Sequence, residues 1–332
     1  MSLPSEIRRN LTLPAVCAPM FMASTPALVI AARQAGIMAG LPRGIFRSTD
    51  DFIAALGVIH AAAQRHRDSN PDAVIGPLAV NLPTALEEAE AKRHLDACRA
   101  HDVAVIISAT GNPVSLIRRV HDEGGRIFCD AISLRHAEKA IGAGADGIVA
   151  IGAGGGGHSG IVSHLALVPK LRAIFDGTII MAGAVSTGAA IRAAEILGAD
   201  LAYLGTRFIA TRESGVPEEY KRLIVEGRAA DLIFTPALGA VDCMWLRESL
   251  RQNGLDPDNL PTPQGRMRYD HLPEGVRPWT TVWSAGQGIE LIEDIPTVAE
   301  LVGRLRRDYI AACEVPDMAA AARLAEQALA AR

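Results

Sequence analysis

A run of small residues that ends in a histidine is the strongest candidate for chemistry in this sequence. Residues 151–160 read Ile-Gly-Ala-Gly-Gly-Gly-Gly-His-Ser-Gly and follow an apolar run at 143–150 that is typical of a buried strand. Four consecutive glycines carry no Cβ, so a planar or anionic ligand can approach the backbone. His158 follows them, and its imidazole changes charge near neutral pH. Alone, the run would indicate a flexible loop with a solvated histidine, but its place after a strand favours a functional role.

The order of the other segments indicates which elements hold this run. Short apolar runs, typical of strands, alternate with longer segments of helical period that are rich in Ala, Glu and Arg. The predicted strands cover residues 15–20, 36–42, 75–82, 103–109, 126–131, 147–153, 178–184 and 201–206. The predicted helices cover residues 26–34, 50–65, 85–101, 114–123, 134–143, 168–175 and 189–197. Each helix is long enough to connect two parallel strands.

This alternation, with strands that are apolar throughout, indicates a parallel sheet covered by helices on both faces. Eight repeats predict an α/β fold closed into a (β/α)8 TIM barrel. The alternative is an open, doubly wound sheet, but there a glycine-rich fingerprint normally follows the first strand. Here Cys17-Ala18-Pro19-Met20 occupies that position, which favours the barrel.

The alternation stops after the eighth predicted strand, which divides the chain into three parts. Residues 1–212 are predicted to form the barrel strands. Residues 213–283 are richer in charge, proline and isolated aromatic residues, and we expect a mostly helical inserted cap with a helix near 217–229. Residues 284–332 are predicted to return through a glycine turn and to supply the final barrel helix at 297–312.

The composition excludes several classes of function. The net charge is −4 and the basic residues are scattered, so we expect no nucleic-acid partner. The five cysteines are widely separated and form no C-x-x-C pair, which argues against a disulfide framework and a metal site and predicts reduced, mostly buried thiols. The first ten residues contain no apolar core of a signal peptide, and no later apolar stretch reaches the length of a membrane span. We therefore expect a cytoplasmic protein without a membrane partner.

Two further strand ends carry residues suited to an anion. In TIM barrels the active site lies at the carboxyl ends of the strands, and the loops after strands seven and eight often bind phosphate. Here these loops contain Ala182-Gly183-Ala184 and Gly205-Thr206, which offer small residues, backbone N–H groups and one hydroxyl. Each loop alone indicates no more than a tight turn. Together they favour a phosphate site.

Other strand ends point to the same centre, each with a structural alternative. Asn81 offers an amide to a ligand or caps the turn before Pro83. Ala18-Pro19-Met20 brings backbone and a thioether against a planar ring, or Met20 fills the core. Asp130 points into the barrel mouth or caps the helix near residue 134. Three histidines on helical patterns are expected at the surface: His94, His121 and His136.

Taken as a set, these motifs resemble the nitronate monooxygenase family, formerly called 2-nitropropane dioxygenases. The segments that carry the resemblance are 154–160, 182–184 and 204–211. The similarity extends from Ala18-Pro19-Met20, through Ala285-Gly-Gln-Gly288, to the final helix. It implies a TIM barrel with a helical cap, FMN as cofactor, and a nitronate or nitroalkane and O2 as small-molecule substrates. A homodimer is left open.

The resemblance also implies roles for individual residues. His158 falls on the active-site histidine, which acts as general base when the substrate is a neutral nitroalkane. The reaction gives a carbonyl compound and nitrite. Residues matched to FMN binding are Ala18, Pro19, Met20, Asn81, Asp130, Gly156, Gly157, Ala182, Gly183, Ala184, Gly205, Thr206 and Gln287. Close relatives instead oxidise NAD(P)H and reduce quinones or enoyl thioesters, and a non-catalytic FMN-binding module is a further alternative.

Two departures from the family pattern concern the cofactor. The quinone-reductase branch has a lysine near the pyrimidine end of the flavin where this chain has Asp130. The family usually has two glycines in the phosphate loop where this chain has Gly183-Ala184, and we expect the additional methyl group to be tolerated.

Overall fold

The computed structural model describes residues 2–109, 111–265, 268–314, 326–327 and 329–330. The remainder of the predicted C-terminal segment 284–332 lies outside these ranges. The strands are β1 (Ala15–Cys17), β2 (Met38–Pro42), β3 (Leu78–Pro83), β4 (Val103–Ala109), β5 (Ile127–Ala131), β6 (Gly147–Ile151), β7 (Gly157–His158), β8 (Thr178–Ala182), β9 (Leu201–Leu204), β10 (Leu232–Thr235) and β11 (Cys243–Leu246).

The helices alternate with the barrel strands and then continue into the insertion. They are α1 (Ser5–Arg8), α2 (Pro26–Gln34), α3 (Thr49–Ser69), α4 (Glu88–Ala100), α5 (Val114–Asp122), α6 (Leu134–Gly142), α7 (His164–Arg172), α8 (Gly188–Leu197), α9 (Thr206–Ile209), α10 (Glu218–Glu226), α11 (Arg247–Gln252) and α12 (Val298–Cys313). Short 3₁₀ turns cover Arg43–Ile45, Ala229–Asp231 and Gln287–Leu291. Within the described chain, every helix is too short or too polar to span a bilayer.

Eight parallel strands close into a barrel in the order β1-β2-β3-β4-β5-β6-β8-β9, and β1 pairs with β9 through Val16 and Tyr203. This confirms the predicted (β/α)8 TIM barrel and excludes the open sheet. Four of the eight barrel strands, β1, β6, β8 and β9, end earlier than predicted. For example, β1 ends at Cys17 and β8 at Ala182. Proline lacks a backbone donor, and Gly183 has φ 118°, so the residues beyond leave the ladder as loops.

Two apolar layers explain why the strands are apolar on both faces. Side chains that include Met38, Val105, Phe128 and Ile180 fill the interior of the barrel. Leu41, Ile106 and Ile148 are among those that point outward and pack under the helices. Four cysteines are buried, Cys313 is exposed, and all five are free thiols, as expected.

Two Gly-Ala-Asp segments, at residues 144–146 and 198–200, stabilise the amino-terminal rim of the barrel. Asp146 precedes β6, and its carboxylate accepts a hydrogen bond of 2.8 Å from the backbone N–H of Ile127 in β5. Asp200 precedes β9 and accepts one of 2.9 Å from Ile179 in β8. Each aspartate therefore ties one strand to the strand before it, on the rim away from the carboxyl ends.

The expectation that His94 is a surface residue is wrong. Its side chain is fully buried, packs edge-on against Phe52 at 5.3 Å, and accepts a hydrogen bond of 2.9 Å from the Arg43 guanidinium. The helical pattern placed His94 on the polar side of α4, but Arg43 enters from the loop after β2 and supplies a partner that makes burial acceptable.

The inserted segment contains a small antiparallel sheet that the prediction of a mostly helical cap missed. Strand β11 pairs with β10 on one side and with β7 on the other. Strand β7 belongs to the glycine run that follows β6, so the sheet joins the insertion to the barrel. A two-residue strand that pairs with a distant segment leaves no local periodicity in the sequence, which explains why it was not predicted.

The final helix was predicted correctly. Helix α12 begins with a capping box in which Thr297 and Glu300 satisfy each other's backbone N–H groups. It packs against α8 so closely that a Cβ added at Gly188 would lie 2.1 Å from the Leu305 carbonyl oxygen. Tyr309 donates a hydrogen bond of 2.7 Å to Glu195 of α8.

Candidate active site

One cavity of about 530 Å³ lies at the carboxyl ends of the barrel strands, a size typical of sites for small molecules. It is lined by Ala18, Pro19, Met20, Phe21, Ala23, Pro42, Gly44, Asn81, Asp130, Ile151, Gly155, Gly156, Gly157, His158, Ala182, Gly183, Ala184, Val185, Ser186, Tyr203, Gly205, Thr206, Ile209, Tyr220, Trp279, Ser284 and Gly288. The structure thus brings together every site residue predicted from the sequence except Gln287.

His158 lies where the barrel meets the insertion. Its backbone belongs to β7 and is opposite Cys243 of β11, while Gly157 is opposite Met244. The His158 ring is half-buried, and its centroid lies 5.1 Å from that of Trp279 with the planes tilted by 55°. Strand pairing and this aromatic contact together fix the direction in which the imidazole faces the cavity.

The glycines before His158 are required by close backbone contacts. A Cβ at Gly156 would lie 2.7 Å from the backbone nitrogen of Gly286, which is closer than such atoms approach. A Cβ at Gly286 would lie 2.5 Å from the Gly154 carbonyl oxygen. Residues 284–288, called the return loop below, therefore pack directly against the glycine run, with backbone against backbone at Gly156 and Gly286.

Gln287 belongs to this contact and does not line the cavity. Its backbone N–H donates a hydrogen bond of 2.9 Å to the Gly154 carbonyl, and the residue is exposed on the outer side of the return loop. The resemblance to the family matched Gln287 to cofactor binding, through the segment Ala285-Gly-Gln-Gly288. In the structure it is the glycine after it, Gly288, that lines the cavity.

The loops after β8 and β9 form a cradle of backbone N–H groups. Gly183 and Ala184 both have positive φ angles, 118° and 56°, so the chain turns sharply after β8, and the small residues of this turn let a ligand approach the backbone N–H groups. Thr206 accepts a hydrogen bond of 2.9 Å from the N–H of Gly286, so its hydroxyl proton remains available to donate. Both loops line the same cavity, as an anion bound by both would require.

Asp130 is the penultimate residue of β5 and lines the cavity. The alternative role as a helix cap is excluded, because Ser133 caps α6 by accepting a hydrogen bond from the N–H of His136. One carboxylate oxygen of Asp130 is buried and has no hydrogen-bond partner among the described residues. Burial raises the pKa of Asp130 from 3.8 to about 7. Tyr203 lines the same floor, and burial, followed by the charge of Asp130, raises its pKa as well.

Asn81 and Met20 occupy the floor and one wall. The Asn81 amide donates a hydrogen bond of 3.4 Å to the Ile107 carbonyl in β4, so it bridges two strands instead of capping a turn. The Met20 sulfur lies 3.5 Å from the position of a Cβ at Gly205. Ser24 holds this loop, because its hydroxyl accepts from the N–H of Met20 and donates to the carbonyl of Ala18.

Sequence reasoning missed several lining residues. Tyr220 lies in the helix predicted for the insertion and Trp279 in a loop of the insertion, and neither was assigned to the site. Trp279 has φ 59°, a conformation that is rare for a bulky residue and that often occurs at functional sites. Among the described residues, no group of His, Cys, Asp and Glu side chains is arranged to hold a metal ion.

Comparison with known proteins agrees with this arrangement. The nitronate monooxygenase family matches residues 45–308. A Mycobacterium tuberculosis protein provisionally named a monooxygenase is 30% identical over 302 residues, which span 88% of this chain and 77% of that protein. The nitronate monooxygenase of Paraburkholderia phytofirmans is 30% identical over 210 residues, or 58% of this chain and 57% of that protein, and the match therefore spans less than two thirds of that relative.

Solved structures share the fold. The nitroalkane oxidase of Streptomyces ansochromogenes superposes with a TM-score of 0.75 at 24% identity, covering 94% of this chain and 100% of that chain. FabK of Thermotoga maritima superposes with a TM-score of 0.70 at 24% identity, covering 94% of this chain and 98% of that chain. At this level of identity, the likeness is one of fold.

The closed barrel, with its cavity at the strand ends, is the framework of a TIM-barrel oxidoreductase. Because the family match extends over most of the chain, this protein belongs to the nitronate monooxygenase family. It is accordingly an enzyme, an oxidoreductase of the nitronate monooxygenase type.

Proposed function

We propose that this protein is an FMN-dependent enzyme that oxidises alkyl nitronates and nitroalkanes with O2 to a carbonyl compound and nitrite. The observation that carries the proposal is that His158 lines the same cavity as the consecutive left-handed residues Gly183 and Ala184. A base and an anion cradle thus face one volume, as a proton-donating substrate and a phosphorylated cofactor require.

The residues around the cavity fit FMN. The N–H groups at Gly183, Ala184 and Gly205 and the Thr206 hydroxyl are the proposed phosphate ligands. For the ring, we propose the backbone of Ala18-Pro19-Met20, the Asn81 amide, Gly156, Gly157 and Ala182, with Asp130 near one edge. The orphaned carboxylate oxygen of Asp130 supports this assignment, since a buried polar atom without a partner inside the protein is suited to a polar group of a ligand.

In the proposed reaction, His158 performs the proton transfer. When bound, FMN accepts electrons from the nitronate and transfers them to O2. His158 removes the proton from the carbon that bears the nitro group, and the resulting imidazolium remains beside the negative charge of the nitronate. A nitronate supplied as such has already lost that proton, so its oxidation does not need the base. Trp279 and Tyr220, from the insertion, form the wall that limits access of water.

The main rival is an NAD(P)H-dependent reductase that uses the same cofactor. Among the described residues that line the cavity there is no lysine or arginine, so no cationic side chain is present for the pyrophosphate of a nicotinamide nucleotide. A carboxylate, Asp130, stands where the reductase branch has a lysine. Both features support an oxidase over a reductase.

The test is turnover by FMN-reconstituted protein. We expect O2 uptake and nitrite release with nitroethane and with ethyl nitronate, and slow or absent bleaching of the bound flavin by NADH under anaerobic conditions. Rapid bleaching by NADH without nitrite release would support the reductase. Bound FMN that reacts with no donor would support a non-catalytic module, and a protein unable to take up FMN would reject the cofactor assignment.

A further inference from the structure

The cavity that His158 lines has an apolar wall. It is formed by Met20, Phe21, Ala23, Ile209, Tyr220 and Trp279. Ala23, Ile209 and Tyr220 belong to one buried apolar cluster against which Met20 packs. The Tyr220 hydroxyl is already satisfied, because it donates to the carbonyl of Ser284 and accepts from the Ser284 N–H. What Tyr220 offers to a ligand is therefore its ring.

The charges around the cavity are few and do not favour an anionic group. Among the described lining residues, Asp130 is the one carboxyl group, His158 is the one imidazole, and no lysine or arginine is present. The proposed phosphate site, formed by Gly183, Ala184, Gly205 and Thr206, is assigned to FMN and would therefore not be available to a substrate. A second anionic group on a substrate would thus have Asp130 near it and no cationic side chain other than His158.

Two arginines lie next to lining residues in the chain, and both point away from the cavity. Arg43 lies between Pro42 and Gly44, but its guanidinium donates to His94 and to the Phe46 carbonyl and lies 3.5 Å from Glu90. Arg207 follows Thr206, but its side chain is 4% exposed and pairs with Asp294 at 3.2 Å. Neither guanidinium is available to a substrate unless these interactions break.

From these observations we infer the substrate class. The enzyme prefers nitroalkanes and nitronates with an uncharged, apolar substituent over those that carry a carboxylate. The inference rests on the proposed function. A carboxylate placed against the apolar wall loses hydration and gains no charged partner, and leaving a charged group buried in this way is strongly unfavourable. An alkyl group of the same shape has no charge to desolvate, and its burial is favourable because it removes apolar surface from water.

A matched pair of substrates tests the inference on the wild-type enzyme. The nitronate of 3-methyl-1-nitrobutane and propionate 3-nitronate have the same number of heavy atoms, and an isopropyl group in the first replaces the carboxylate of the second. We expect kcat/KM to favour the alkyl nitronate by on the order of 10²-fold. The assay is run at about 0.15 M salt, where the Debye length of about 8 Å screens distant charges. A ratio near one, or one that favours the carboxylate, overturns the inference.

A lysine placed in the apolar wall provides a second test of the inference. Phe21 is 44% exposed at the cavity mouth, so we expect Phe21→Lys to fold, and it would offer a cation to a substrate carboxylate. Met22 is 37% exposed and does not line the cavity, which makes Met22→Lys the matched control. We expect Phe21→Lys to reduce the preference for the alkyl nitronate about tenfold, and Met22→Lys to leave it within about twofold. Equal shifts in both variants would contradict a local effect.

Binding measurements separate this inference from the proposed function. Calorimetric titration of the FMN-loaded protein with 3-methyl-1-nitrobutane and with 3-nitropropionate reports affinity whether or not turnover occurs. Tighter binding of the neutral compound without oxidation of either would reject the proposed function and support the apolar wall. Oxidation of both nitronates with equal efficiency would support the function and overturn the substrate class.

Discussion

His158 lies directly opposite Cys243 in the register of an antiparallel sheet, so the candidate base is held by the inserted segment as well as by the barrel. The Trp279 ring, 5.1 Å from that of His158, reinforces this connection. The glycine run alone would be free to adopt many conformations, because glycine restricts the backbone little. The insertion therefore does more than cover the cavity: it fixes the position of the imidazole.

We predict that His158→Asn slows the oxidation of neutral nitroalkanes much more than that of nitronates. Removal of a positioned base costs on the order of 10²–10⁴-fold in the step that needs it, so kcat/KM should fall by that amount for nitroethane. Oxidation of ethyl nitronate should fall far less, because the proton is already absent. His136→Asn, on the exposed side of α6, is the control. Equal losses on both forms would assign His158 to substrate binding instead.

Asp130 should make the stability of the FMN-free protein depend on pH. Burial raises the pKa of the folded state from 3.8 to about 7, so folding favours the protonated carboxyl group. The associated stability is fully present below pH 4 and is lost as the pH rises to about 7. The shift corresponds to at most ~4 kcal/mol, at 1.36 kcal/mol for each pKa unit, and we expect about 1–2 because water reaches the cavity.

Chemical denaturation between pH 4 and 9 measures this effect. The difference in unfolding free energy between wild type and Asp130→Asn should change in favour of the variant as the pH rises, and should level off above pH 8. A difference that does not vary across this range would show that Asp130 keeps its ordinary pKa in the folded protein.

The same residue should influence the potential of bound FMN. Above pH 7, an ionised Asp130 opposes the negative charge gained on reduction, so Asp130→Asn should raise the midpoint potential by some tens of millivolts, at roughly 30 mV for ~1.4 kcal/mol. Below pH 6 the carboxyl group is protonated and the two potentials should converge. Spectroelectrochemical titration at pH 5.5 and 8.5 measures both values, and an equal gap at the two pH values would contradict this role.

The phosphate loop should tolerate Ala184→Gly and reject Gly183→Ala. Ala184 has φ 56°, which costs ~1 kcal/mol relative to glycine, but glycine also makes the unfolded chain more flexible by a similar amount. We therefore expect a change in unfolding free energy of less than about 1 kcal/mol and an unchanged Kd for FMN. Ala240→Gly, at φ 53° in an exposed turn, is the matched control.

Gly183→Ala differs because of both conformation and space. Gly183 has φ 118°, and a Cβ there would lie 2.9 Å from the backbone nitrogen of Gly155. The loop must then move, and the Kd for FMN should rise at least about tenfold. Calorimetric titration with FMN provides the comparison. A Gly183→Ala protein that binds FMN as tightly as wild type would remove this loop from the phosphate site.

The sequence was sufficient for the barrel because its signals are local. Each β/α unit carries its own apolar run and helical period, and the positions of Asn81, Asp130 and His158 at strand ends follow from the fold itself. All three line the cavity in the structure. Only the boundaries shifted, where Pro19 and Gly183 end strands earlier than the apolar pattern suggested.

The features that could not be predicted from the sequence depend on contacts between distant segments. The sheet that joins β7 to β11, the contribution of Trp279 to the cavity and the burial of His94 by Arg43 each depend on a partner far away in the chain. Nothing in the sequence around these residues specifies that partner. Gln287 shows the converse: the glycine turn that contains it was predicted, but the residue is exposed and does not line the cavity.

The central claim is that a nitronate is the electron donor to FMN bound in this cavity, and anaerobic stopped-flow mixing tests it most directly. FMN-reconstituted protein is mixed with ethyl nitronate and, separately, with NADH, while the flavin absorbance is followed. We predict bleaching by the nitronate that saturates with its concentration, and bleaching by NADH that is at least about a hundredfold slower. Rapid bleaching by NADH, with a flavin that remains oxidised in the presence of the nitronate, would contradict the account.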